Sequence, residues 1–154
     1  MYRRILALAA LVCANAMAAP PPYDESADAR AEVRAALVAA KASQVPVLVI
    51  FGANWCKDCR ALDRALKSPQ NAALMQREFK VVKVDVGRFD RNLDLAAAFG
   101  NPIRQGIPAA VVLSPDMQVL YATRAGELAD ARRMSESGIH DFFKGVTQAA
   151  RARQ

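Results

Sequence analysis

Residues 51–63 read FGANWCKDCRALD, and the two cysteines inside this stretch, Cys56 and Cys59, decide how the rest of the chain is read. Ahead of them runs VPVLVIFG (45–52), a short apolar, β-branched run bounded by Pro46 and Gly52, which predicts a buried strand. Behind them, CKDCRALDRALK (56–67) predicts a helix that opens at the cysteines. A strand therefore delivers Cys56 to the first turn of a helix. The unpaired N–H groups and positive dipole end at that point stabilise a thiolate and lower its pKa. Cys59, three residues on, projects from the same side one turn deeper, close enough for a disulfide. The spacing implies a division of labour: Cys56 exposed and attacking, Cys59 partly buried and resolving the mixed disulfide. A disulfide closing so small a loop adds little stability, which favours a redox role over a structural one.

Working outward, the N-terminus sets the expected compartment. MYRRILALAALVCANAMAAP has a basic start (Arg3, Arg4), an apolar run from Ile5 to Val12 and A-x-A patterns at residues 14–16 and 16–18. This layout predicts a cleaved export signal over residues 1–19, with an apolar run too short for a membrane anchor. Cys13 falls within it. Of the three cysteines in the 154-residue chain, two then remain in a mature domain of about 135 residues, the size of one compact domain. An exported chain with one cysteine pair has no disulfide framework and must be held by its core. The composition, 53% hydrophobic and 23% charged, suits that. The formal charge of +6 includes Arg3 and Arg4, and the remaining Lys and Arg are interspersed with acids, so a nucleic-acid partner is not expected. Metal binding lacks ligands: beyond Cys56 and Cys59 the mature chain holds one histidine, His140, far along the sequence, whereas a structural zinc site takes about four.

The remaining elements follow from periodicity and punctuation. Residues 20–44 are expected to form a proline-led lead-in and a helix capped by Ser26, with Val33, Ala36, Leu37 and Ala40 on one face. Ser68 and Pro69 mark the start of a helix over 68–79, and KVVKVDV (80–86) is a strand. FDRNLDLAAAFG (89–100) predicts a helix ending at Gly100. A loop follows, then strand 107–114, a turn at Ser114–Asp116 and strand 118–123. A helix between Glu127 and Ala150, with a possible break at Gly138, closes the chain. Strand–helix–strand order gives parallel neighbours and the short turn gives an antiparallel hairpin. The expected fold is α/β, one mixed central sheet with helices on both faces.

FGANWCKDCRALD, preceded by VPVLVI and followed by KVDV and GIPAAVVLSPDMQVLY, resembles the thioredoxin superfamily, in particular its small exported thiol–disulfide interchange proteins. The resemblance implies a thioredoxin-like domain over 45–150. It further implies a cis Ile107–Pro108 bond beside the cysteines, where the Ile107 backbone pairs with an extended substrate segment. Trp55 would flank the site and contact substrate, and Arg60 stands where the family often has a basic residue. Two departures stand out. Ile50 occupies the position where thioredoxins proper carry a buried acid that helps deprotonate the resolving cysteine, leaving Asp58, Asp63, water or the substrate as base for Cys59. The dipeptide between the cysteines is Lys57–Asp58; Lys57 favours the Cys56 thiolate, Asp58 opposes it, and both are expected at the surface. The implied protein is a periplasmic, monomeric protein-disulfide oxidoreductase, a reductase or interchange protein rather than an oxidase. Its only redox group is the Cys56–Cys59 pair, with neither an organic cofactor nor a metal. Its partners would be exported cysteine-containing proteins and a membrane or periplasmic redox protein. The alternative from another class is a client-binding or chaperone module on the same scaffold, with incidental redox activity.

Overall fold

In the computed structural model, which describes residues 19–154, the apolar run ahead of the cysteines is a central strand, β1 (Val47–Gly52), buried along its whole length. The sheet order is β2–β1–β3–β4, with β2 at Lys80–Asp85, β3 at Ala109–Leu113 and β4 at Val119–Ala122. β1 runs parallel to β2 and antiparallel to β3, and β3 and β4 form the hairpin expected at Ser114–Asp116. Met117 N–H closes that turn on Ser114 O at 2.9 Å. A central strand covered on both faces needs apolar residues at every position, as VLVIFG supplies.

Among the described residues, five helices cover the sheet: α1 (Ala29–Ser43), α2 (Lys57–Leu66), α3 (Pro69–Glu78), α4 (Leu93–Ala98) and α5 (Glu136–Arg151). Because side chains alternate across a strand, β1 divides the core in two. Val47, Val49 and Phe51 pack with Val33 and Ala40 of α1 and Leu95 and Ala96 of α4. Leu48 and Ile50 pack with Leu62 and Leu66 of α2, Leu74 of α3, and Ile139, Phe143 and Val146 of α5. Ile50, where the resemblance would lead one to expect a buried acid, is thus part of an apolar face.

Several boundaries differ from the sequence expectation, each for a local reason. Asp28, not Ser26, caps α1, accepting Ala31 N–H at 2.9 Å, while Ser26 turns back onto Asp24. The helix expected over 89–100 is shorter, because Phe89 and Asn92 take left-handed backbone angles before α4 can start. The stretch after it contains a 3-10 turn at Pro102–Gln105. The closing helix is not broken at Gly138; it starts just before it, with Ser135 Oγ accepting Gly138 N–H at 3.0 Å. The residues between β4 and α5 include a second 3-10 turn, Ala131–Arg133, which returns to α2. The expected export signal lies outside the described residues but for Ala19. No helix among the described residues is long and apolar enough to cross a membrane.

Candidate active site

The site forms where the C-terminal ends of β1 and β2 meet the start of β3. The antiparallel register pairs Phe51 with Ala109, so the residues before Ala109 run alongside those after Phe51. That register, invisible in the sequence, brings Ile107–Pro108 to the cysteines across a separation of about fifty residues. The Ile107–Pro108 peptide bond is cis, and the Ile107 carbonyl oxygen lies 3.6 Å from Cys56 Sγ.

Cys56 and Cys59 are joined as a disulfide, their Cα atoms 5.2 Å apart. Cys56 is the N-cap of α2, and its sulfur accepts the backbone N–H of Cys59 at 3.1 Å. A thiolate at this position therefore meets an oriented N–H and the positive end of the helix. The expected contrast in exposure is narrower than the spacing implied. Cys56 is itself buried, 5% exposed against 0% for Cys59, because the Ile107–Pro108 segment covers it.

Around the pair, Trp55 is half exposed at 49%, donating its indole N–H to Gly87 O at 2.7 Å and meeting Phe89 edge-on. Phe89 and Leu93, both partly exposed, line one groove, so an apolar rim runs from Trp55 through Phe89 to Leu93. Arg60 is more than a solvated residue: its guanidinium donates to Asn54 O at 2.7 Å and braces the loop ahead of Cys56. Lys57 is exposed, as expected. Asp58 is not: its carboxylate accepts Arg132 N–H at 3.0 Å and pairs with the Arg132 guanidinium at 3.6 Å. Its charge is spent on the turn that follows β4.

Asp63, one turn beyond Cys59, is buried and paired with Lys67 (2.8 Å) and Lys83. Burial alone would raise its carboxyl, but hydrogen bonds and charge from the two lysines outweigh it and hold the group below the ordinary carboxylate range. So held, it is a poor proton acceptor for Cys59. His140 sits on α5 against Asn71 Oδ1, 3.1 Å away and remote from the cysteines. Among the described residues no three Cys, His, Asp or Glu side chains cluster as a metal site.

Two residues of the site gave no signal as such in the sequence. Tyr23, in the proline-led lead-in, is 2% exposed and belongs to the same core cluster as Cys56 and Cys59. Asn54 holds it there, accepting Tyr23 N–H at 3.0 Å and donating to Tyr23 O at 2.8 Å. The one available hint was a lone aromatic inside PPYDES, which periodicity cannot place.

The thioredoxin-like family model matches residues 28–115, from the cap of α1 to the β3–β4 turn. The chain belongs to the thioredoxin-like family. Among solved structures, the disulphide isomerase of Xylella fastidiosa Temecula1 is 55% identical, with a TM-score of 0.83 over 84% of this chain and 99% of that one. A thioredoxin from Thermus thermophilus shares 22% identity (TM-score 0.53; 74% and 80% covered). The oxidised C-terminal domain of DsbD from Neisseria meningitidis shares 20% (TM-score 0.51; 77% and 96% covered). These last two bear on the fold alone. No curated protein matches the chain. With the Cys56–Cys59 pair at the head of α2, this thioredoxin-like chain is a protein-disulfide oxidoreductase.

Proposed function

We propose that the protein acts outside the cytoplasm, in the periplasm, reducing or reshuffling disulfides in exported proteins rather than introducing them. The observation that carries the chemistry is the Cys56–Cys59 disulfide at the N-terminus of α2, covered by the Ile107–Pro108 segment. Cys56 is the exchanging sulfur, since it alone has helix N–H groups to hold its thiolate. Cys59 lies behind it and resolves. An extended client segment pairs with the Ile107 backbone, and its side chains rest on the rim of Trp55, Phe89 and Leu93. Export is supported by the basic, apolar and A-x-A pattern of residues 1–19. The disulfide is the only redox group the exchange needs, and electrons pass to or from a membrane or periplasmic thiol partner.

Insulin-disulfide reduction by the purified protein tests this directly. Cys56→Ser is expected to abolish turnover, and Cys59→Ser to accumulate mixed disulfides through Cys56, visible on non-reducing gels. Turnover retained by Cys56→Ser would sink the assignment.

A further inference from the structure

The exchange leaves one group without a partner: Cys59. Each time the disulfide opens, the electron pair of the broken S–S bond departs on a sulfur that is wholly buried. An unpaired buried thiolate is costly, so a hydrogen-bond donor is required. Asp58 is turned to Arg132, Asp63 to Lys67 and Lys83, and Ile50 offers nothing polar.

The lead-in segment supplies what these do not. A Cβ added to Gly52 would overlap the Tyr23 phenol oxygen and would stand 3.0 Å from Cys59 Sγ. The phenol oxygen and the sulfur therefore both border the small space that a side chain at residue 52 would fill. Nor is the position of Tyr23 accidental. Asn54, two residues before Cys56, holds both its backbone N–H and C=O, and also donates to Glu25 at 3.0 Å. Arg91 donates to Glu25 O and pairs with Asp85, the residue in register with Gly52. Two clamps thus tie this segment to the cysteine loop and to β2.

We propose that the Tyr23 hydroxyl is the hydrogen-bond donor that stabilises the Cys59 thiolate as the disulfide opens. The inference rests on the redox reading of the site. In the step concerned, a reducing thiolate attacks Cys56 Sγ and bonds to it. The Cys56–Cys59 bond breaks, its electron pair leaves on Cys59 Sγ, and the Tyr23 O–H donates to that charge. In reverse, the Cys59 thiolate attacks Cys56, the disulfide reforms, and the electron pair leaves on the client sulfur. Tyr23 keeps its own proton throughout: burial, followed by the negative charges of Asp63 and Asp85, pushes its phenol above the ordinary range. Water supplies the proton that converts Cys59 to a thiol. Lys67, Lys83 and Arg91 are each already paired with one of those two carboxylates, and the Glu25 carboxylate on the same segment accepts from Asn54.

The test is the titration of Cys59 in the reduced full-length protein, followed by the 13Cβ chemical shift of Cys59 against pH. Tyr23→Phe keeps the ring and removes only the hydroxyl. It is expected to raise the Cys59 pKa by about one unit, a roughly tenfold loss of thiolate. It should also slow opening of the disulfide by dithiothreitol several-fold, because a thiol of higher pKa is a poorer leaving group. Asn54→Ala, which frees the segment, should move both readouts the same way by less. A merely structural tyrosine would change stability and leave the titration where it was. An unchanged Cys59 pKa in Tyr23→Phe overturns the proposal whatever Asn54→Ala does. Failure of the wild-type protein to reduce insulin would instead defeat the redox reading, so the two failures are distinct.

Discussion

Asp63 illustrates how one residue changes meaning between sequence and structure. By spacing it lies a helical turn below Cys59 and is a candidate base for it. The parallel register pairs Lys83 with Ile50, so the lysine shares the α2 side of the sheet and reaches the carboxylate. The sign of the pH dependence follows. Asp63 is held below its unfolded pKa of about 4, so its contribution to stability is complete above that value and is lost as pH falls through the folded pKa. Asp63→Asn should therefore cost about 2 kcal/mol near pH 7, from its charged hydrogen bonds to Lys67 and Lys83. The gap should narrow between pH 7 and a pH below the ordinary carboxylate range, as the wild-type carboxyl takes up its proton. Urea unfolding at both pH values checks this, and a gap of equal size at both would contradict it. The stretch 51–63 already set the two cysteines, Trp55 and Lys57 side by side, and the structure bonds the cysteines and leaves Lys57 exposed as expected. Asp58 was misread as exposed, because its partner Arg132 lies 74 residues away.

At the scale of elements, local chemistry was readable wherever the cap and the helix lie together. Pro69 begins α3 as its fixed φ favours, although Ser68 caps without a side-chain bond to the helix and donates instead to Ala65 O. Ser26 and Asp28 offered two plausible caps for α1, and the decision fell to Asp24, which takes both the N–H and the hydroxyl of Ser26. Asp28→Ala is accordingly expected to cost about 1 kcal/mol by urea unfolding, the usual penalty for losing an N-cap. Ser26→Ala should cost clearly less; equal losses would mean that the cap is shared. α1 matters beyond its own stability, since Val33 and Ala40 pack beneath the strand that carries the cysteine loop. The start of α4 escaped sequence reading for a physical reason: positive φ is rare for a residue such as Phe89, and Asn92, which tolerates it better, is held there by contacts such as Asn92 Nδ2 donating to Asp85 O at 2.7 Å.

The reduction potential belongs to the whole molecule, because it compares the oxidised fold with the dithiol fold and every group that stabilises the thiolates. Equilibration with glutathione buffers is expected to place it between roughly −270 and −180 mV, the span from thioredoxin to protein disulfide isomerase. A value near roughly −120 mV would mark a strong oxidant and end the case for reduction or interchange. What the sequence by itself determined is whatever depends on neighbours along the chain: the buried strand, the helix opening at Cys56, the redox spacing of Cys56 and Cys59, and the alternation that makes a mixed α/β sheet. What only the tertiary structure decided is whatever depends on register and on the crossing of distant segments. Pairing Phe51 with Ala109 sets Ile107–Pro108 over Cys56, and pairing Gly52 with Asp85 positions the end of β2 beside Tyr23. The reason lies in the range of the forces. Helix caps and hydrophobic periodicity act within a few residues, whereas the partner of a buried charge or sulfur is chosen by packing, which sequence order does not encode locally.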